Sequence, residues 1–331
     1  MSTAVQTDFR RSINLANPRI GAKVTFATDD FFADKSRLID PADAVFIPGK
    51  YDDNGKWMDG WESRRKRGTG YDHAVVRLGA RGVVHGFDID TSHFTGNFPP
   101  AASIDACISH EDVPGDAAVW TTLVPSMNLS GNSHHFVPCD SGEAWTHIRL
   151  NIYPDGGVAR LRVFGEIYRD WNGFDARERI DLLAMENGGR GIIANDEHFG
   201  VLSNITLPGK GLNMGDGWET RRRREPGNDW SILALGHAGT VDEILVDTAF
   251  FKGNFPSHIS IQAALVTGGT DDSLPVQSQF WSELLDKQPL SADAEHSFRP
   301  LAGIGPISHI RVNIYPDGGI SRLRLFGHIS K

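Results

Sequence analysis

The densest run of reactive side chains in the sequence is Trp61-Glu62-Ser63-Arg64-Arg65-Lys66-Arg67, an aromatic ring and a carboxylate followed by four cations. Guanidinium forks hold carboxylates through two parallel hydrogen bonds. In a chain of formal net charge −9, such a run is a local seat for an anion. A basic run alone is ordinarily a solvated face. This one returns 157 residues later as Trp218-Glu219-Thr220-Arg221-Arg222-Arg223-Arg224, and solvation gives no reason to keep Trp-Glu-x-Arg-Arg. Arg64, Arg65, Arg221 and Arg222 are therefore candidates to grip an anion. Trp61, Trp218 and the matched pair Asp72 and Asp229 stand as binding neighbours. Strand alternation over the run would put Glu62, Arg64 and Lys66 on one face and Arg65 and Arg67 on the other, leaving one arginine free for a structural role.

Acid–base chemistry needs groups that titrate near neutrality. The candidates kept in both halves are Glu62 with Glu219, and His134 with His296, the latter read as matched His-x-Phe triplets. His147 and His309 also match, and single histidines are more often structural. Asp90 and Asp247 match ahead of Gly-Asn-Phe-Pro and read as turn-stabilising, as do Asn97 and Asn254. Asp88 becomes Leu245 and His93 becomes Phe250, so these drop out as shared groups. No HExxH, GxSxG, P-loop or CxxC pattern occurs. The two cysteines, Cys107 and Cys139, are too few for a disulfide framework and read as buried thiols. No cofactor is indicated, and a divalent metal as a catalytic aid stays open.

The elements that must position these groups come in two copies. His147–Gly165 and His309–Gly327 are identical at 15 of 19 positions, which sequence drift from unrelated origins does not produce. The offset between copies is 167 at the start, 157 in the middle and 162 at the end. Ten extra residues therefore fall around Pro41–Lys56 and five around Asp271–Asp293, as surface loops. The domains expected are residues 13–169 and 176–331, joined by a linker helix over Ala176–Glu186 with Asp175 as its N-cap. Within each copy the apolar period is two: Ile148, Leu150 and Ile152 face one way, and His147, Arg149, Asn151 and Tyr153 the other. Pro154-Asp-Gly-Gly157 supplies a turn. With 36 glycines and 17 prolines punctuating short strands, the fold class is all-β, a tandem repeat of two jelly-roll sandwiches. An apolar share of 40% against 23% charged residues supports two folded cores rather than disorder. The acidic balance argues against nucleic acid or an anionic membrane as partner. The absence of a signal-like start or a long apolar stretch gives a cytoplasmic expectation.

The doubled Gly-Trp-Glu-[Ser/Thr]-Arg-Arg, Asp-x-x-x-Phe-x-Gly-Asn-Phe-Pro and His-Ile-Arg-x-Asn-Ile-Tyr-Pro-Asp-Gly-Gly motifs together resemble the allantoicase family, over nearly the whole chain from about Ile13. The Arg-Leu-Arg-x-Phe-Gly ending is similar to the last strand of galactose-binding and discoidin-like jelly rolls. The family resemblance implies hydrolysis of allantoate to ureidoglycolate and urea in purine and allantoin degradation, with bacterial relatives also associated with urea release from ureidoglycolate. Allantoate is a small carboxylate whose central carbon carries two ureido groups. Its hydrolysis needs a cation, polar groups for urea, an acid and a base, and the repeated positions supply all four types. The competing class is a non-catalytic carbohydrate-binding jelly roll, since fold does not fix function; the lack of a signal peptide and disulfides counts against it. The two copies are expected to be unequal, because their flanking loops differ. The sequence leaves oligomeric state open, a homo-oligomer included.

Overall fold

In the computed structural model, residues 8–331 are described, and they divide into two units at Tyr168/Arg169. Repeat 1 runs β1 (Ile13–Asn14), β2 (Lys23–Ala27), a small β3–β4 hairpin (Tyr51–Asp52 and Gly55–Lys56), β5 (Trp61–Glu62), β6 (Asp72–Asp90) and β7 (Ala101–Cys107). It continues with β8 (Thr121–Asn128), β9 (His134–Pro138), β10 (Ala144–Tyr153), β11 (Gly157–Val158) and β12 (Arg160–Ile167). Repeat 2 runs β13 (Ile180–Asp181), β14 (Arg190–Ala194), β15 (Trp218–Glu219), β16 (Asp229–Asp247) and β17 (His258–Ala264). Then follow β18 (Ser282–Pro289), β19 (Glu295–Phe298), β20 (Ile307–Tyr315), β21 (Gly319–Ile320) and β22 (Arg322–Ile329). Both repeats are antiparallel jelly rolls of the same strand order.

The period-two pattern explains which side of each strand is buried. Ile148, Leu150 and Ile152 are fully buried, and their counterparts Ile310, Val312 and Ile314 likewise. Burying such side chains is worth about 1.5–3 kcal/mol each. The long strand β6 organises the sandwich. Its first part pairs with β10, from Asp72↔Ile152 to Arg77↔His147, and its last part with β12, from Gly82↔Ile167 to Asp90↔Arg160. The strand thus leaves one sheet, turns a corner and climbs the other. Gly82 is needed at that corner, since a Cβ there would lie 2.7 Å from both Glu166 O and the Leu15 side chain. Only residues 154–159 connect β10 to β12, so both ends of β6 arrive at the same end of the sandwich. The β5–β11 pairing, Trp61↔Val158 and Glu62↔Gly157, brings the basic run to that end too. Repeat 2 repeats this with β16, β20, β22, β15 and β21.

Two expectations need correction. Residues 176–186 form no linker helix. Asp175 instead closes a turn by accepting the Arg177 N–H at 3.0 Å, and Ile180–Asp181 become β13, pairing with β22 as β1 pairs with β12. Pairing with a sheet edge outweighs local helix propensity in this segment. The five extra residues of repeat 2 are also distributed differently. Thr121 and Ser282, which pair with the matched Ala106 and Ala263, are 161 apart. The offset stays 161 through β9 and β19, so four residues enter between β17 and β18. The fifth enters after Phe298. That single residue changes which histidines correspond.

Candidate active site

At the β5 end of repeat 1, the basic run is not a continuous strand. Pairing stops after Glu62, and the chain is then tied to the turn between β10 and β11: Ser63 N–H donates to the Gly156 carbonyl at 3.1 Å, and Lys66 N–H to the Asp155 side chain at 2.8 Å. The alternation expected over residues 62–67 therefore does not arise. Trp61 is fully buried and donates its indole N–H to Asp29 O at 2.8 Å. Trp218 does the same with Asp196 O at 2.9 Å. Neither ring has a free face for substrate. Their role is to anchor the run.

The arginines separate into two kinds. Arg64 pairs with Asp29, its Nε at 2.7 Å and Nη2 at 2.6 Å, while its backbone N–H donates to the same carboxylate at 3.0 Å. Arg221 grips Asp196 in the same way. Arg65 and Arg222 are exposed and make no hydrogen bond or ion pair among the described residues. Arg67 and Arg224 are likewise exposed, so each run has two arginines with forks available among the described residues. Asp72 and Asp229 are 2% and 3% exposed. Asp72 is held by Lys66 Nζ at 2.7 Å and Thr28 Oγ1 at 2.8 Å; Asp229 by Arg223 and Asn195, each at 2.7 Å. These aspartates brace the loop from within and present nothing to a ligand. Charge at such buried positions is tolerable because it is paired and hydrogen-bonded.

Glu62 lies half-buried on the opposite side of β5 from Trp61 and accepts from Asn97 Nδ2 at 2.8 Å. Burial pushes its carboxyl above the ordinary glutamate range, with the Asn97 hydrogen bond and the Lys56 charge pulling partly back. Glu219 is held by Asn254 in the same manner. The asparagines that read only as turn formers thus orient the two glutamates. Asp90 and Asp247 do stabilise turns, accepting from Ser92 and Ala249 N–H at 2.7 Å.

The histidines correspond differently from the expectation. In register, His134 faces Asp90 and His135 faces Ile89, whereas Glu295 faces Asp247 and His296 faces Val246. The structural partner of His296 is therefore His135. Both rings are tied at each nitrogen: Nδ1 to a strand carbonyl, Nε2 accepting a backbone N–H from Ser130 or Ser291. These contacts make the two rings turn braces. His134 stands apart. Its Nδ1 is 2.8 Å from Asp88 Oδ2, its Nε2 is 3.8 Å from Asp90 Oδ1, and its side chain is 48% exposed. Partial burial disfavours the charged ring, but the Asp88 hydrogen bond and the charges of Asp88, Asp90 and Asp43 outweigh it and raise the His134 pKa. Burial likewise raises that of Asp88. Repeat 2 has no such dyad, since Leu245 and Glu295 occupy the two positions.

The sequence model of a family described as "Allantoicase repeat" matches residues 13–168 and 180–330. The chain is 61% identical to "Probable allantoicase 2" of Burkholderia pseudomallei, covering 97% of this chain and 96% of that protein. It is 56% identical to "Probable allantoicase" of Pseudomonas syringae pv. syringae, covering 98% of both. This chain belongs to the allantoicase family. The crystal structure of allantoicase from Saccharomyces cerevisiae superposes with a TM-score of 0.81 at 31% identity, over 99% of each chain.

Within this allantoicase-family chain the two repeats offer unequal chemistry. Each has a glutamate held by asparagine and two arginines without a partner among the described residues; repeat 1 alone adds the His134–Asp88 dyad. Among the described residues no group of three or more His, Cys, Asp or Glu side chains is arranged to hold a metal ion. An open depression of about 490 Å³ lined by Thr121, Cys139, Glu143 and Trp145 sits by the Gly82 corner, at the far end from these groups. Asp29, Asp196 and Asp88 carry much of the arrangement and were not singled out from the sequence. Asp29 and Asp196 sit 167 apart, at the offset of the first segment, which was the signal available for them.

Proposed function

We propose that the chain is an allantoicase hydrolysing allantoate to ureidoglycolate and urea, with its acid–base chemistry concentrated at the β5 end of repeat 1. The observation that carries the assignment of chemistry is the half-exposed His134 bonded through Nδ1 to buried Asp88, at the same end of the sandwich as Glu62 and Arg65. Arg65 takes the substrate carboxylate, as an unpaired fork does at about 1.5–3 kcal/mol for a charged hydrogen bond. His134, held by Asp88, removes a proton from water as its oxygen displaces a ureido nitrogen from the saturated central carbon. Glu62, protonated more readily because it is buried, gives a proton to the departing ureido nitrogen. The C–N bond breaks, urea leaves, and the hydroxyl stays on ureidoglycolate. In repeat 2, Glu219 and Arg222 retain binding groups without the dyad, so it contributes less to turnover. The protein works in the cytoplasm as a step of allantoin degradation.

Urea release from allantoate by the purified chain, with and without chelator, tests the reading. The expected result is stoichiometric urea and ureidoglycolate in both. Absence of urea from folded protein overturns the activity. Loss of activity with chelator, restored by metal, overturns the unaided acid–base scheme.

A further inference from the structure

The sheet face opposite the core carries a second polar arrangement that the chemistry above does not use. In repeat 1, Arg149 lies over Trp120 at 4.3 Å and binds Asp105 Oδ2 through Nη2 at 2.8 Å. Asn151 and Thr122 donate to the same carboxylate at 2.8 Å each. Ser103 links Asn151 to the Tyr153 hydroxyl. Repeat 2 keeps the arginine, asparagine, serine and tyrosine, while Glu283 stands where Thr122 does and the ring under the arginine comes from Trp230, at the place of His73. Arg311 lies over Trp230 at 4.3 Å, Asn313 stands where Asn151 does, and Ser260 meets the Tyr315 hydroxyl at 3.1 Å. The carboxylate is missing: Gln262 occupies the Asp105 position, opposite Arg311 in register.

Arg311 is left with Asn313 Oδ1 on Nε at 3.1 Å and Ser278 Oγ on Nη1 at 2.9 Å, with no acidic partner among the described residues. Glu283, opposite Gln262, is exposed and forms no ion pair with it. Arg190 is occupied by Asp271, and Lys287 sits 4.0 Å over the Tyr315 ring, adding positive charge to the same side. A guanidinium half-buried on an indole without a counter-ion is costly, and burial accordingly lowers the Arg311 pKa. Around it, Asn313 Nδ2 donates to Gln262 Oε1 at 3.2 Å and to Ser260 Oγ at 3.5 Å, and Gln262 Nε2 donates to Trp281 O at 3.2 Å. Repeat 1 displays what fills such a seat, because Asp105 is the chain's own carboxylate held by an arginine, an amide and a hydroxyl.

We propose that the outer sheet face of repeat 2 binds a small carboxylate carrying an amide or ureido group, with the carboxylate on Arg311 and the amide on Asn313 and Gln262. The site is separate from the acid–base groups of repeat 1 and stands whether or not their assignment does.

The probe is N-carbamoylglycine, a carboxylate with one ureido arm, titrated calorimetrically into the full chain, with the neutral N-carbamoylglycinamide as control. Wild type is expected to bind the acid and not the amide. Gln262→Asp restores the internal carboxylate of repeat 1 and is expected to weaken binding at this site by about tenfold or more, the worth of a charged hydrogen bond. Arg311→Gln is expected to do the same, should Gln262→Asp fold poorly. The Arg65→Ala, Arg222→Ala double variant is expected to keep the site. Absence of binding to wild type overturns the proposal, as does binding indifferent to both Gln262→Asp and Arg311→Gln. Binding lost only in the Arg65, Arg222 double variant overturns it while leaving the catalytic reading intact.

Discussion

Arg64 and Arg65 are adjacent in sequence and opposite in consequence, so they give the sharpest test of the site. Arg64 spends its guanidinium on Asp29, with side chains 62% and 14% exposed. An ion pair that open is worth about 0.2–1 kcal/mol. Arg64→Ala keeps the backbone N–H that also reaches Asp29, so only the side-chain part is lost. For a repeat of this size, that lowers Tm by about 2–4 °C at most. Arg65 has no partner among the described residues, so Arg65→Ala leaves Tm within error. Losing a charged hydrogen bond to substrate, at about 1.4 kcal/mol per tenfold, lowers kcat/KM by on the order of 10–100-fold. The assay pairs urea release over a range of allantoate concentrations with thermal unfolding of the same preparations. If Arg64→Ala lost the activity at unchanged Tm while Arg65→Ala lost none, the division of labour drawn from the Asp29 contact would be refuted.

Three further outcomes follow from the same geometry. Glu62→Gln should reduce kcat by at least about 100-fold, as for a general acid, while Glu219→Gln stays within a few-fold; equal losses in steady-state kinetics would mean the repeats contribute alike. Asp88→Asn removes the carboxylate that raises the His134 pKa, so His134 loses its proton at lower pH and the acid limb of the kcat/KM profile moves down; an unmoved limb means His134 is not the base. Gly157→Ala would place a Cβ 2.0 Å from the Phe94 ring, an overpacking that costs about 1–3 kcal/mol and lowers Tm, and an unchanged melting curve would show that this contact yields freely.

What was legible in the sequence depended on whether two copies could be compared. The doubled motifs gave the tandem all-β frame, because a period of two and a shared Pro-Asp-Gly-Gly turn survive divergence. The Trp-Glu-x-Arg-Arg run falls at the β5 or β15 end of each sandwich. The roles inside it did not follow, because burial of Trp61 and Asp72 depends on Asp29, Thr28 and Lys66 meeting across the fold. His134 was matched with His296 through an identical His-x-Phe spelling, and one inserted residue after Phe298 made that spelling coincide at the wrong register. Asp88 was set aside as unshared, and that lack of a counterpart is what makes repeat 1 distinctive. The linker helix failed for another reason: propensity is local, and Ile180 had a strand waiting at Gly327.

One strand passing through both sheets has a consequence for how this fold can diversify. Because β6 and β16 each tie a sandwich together covalently, the loops at the end of the sandwich can lengthen without altering the spacing of what remains. The Pro41–Lys56 segment took on ten residues in repeat 1 while Trp61 and Trp218 kept the same bonds. Duplication supplied two such frames, and a change at one rim, Leu245 against Asp88 or Gln262 against Asp105, is free to specialise one copy while its twin preserves the ancestral task.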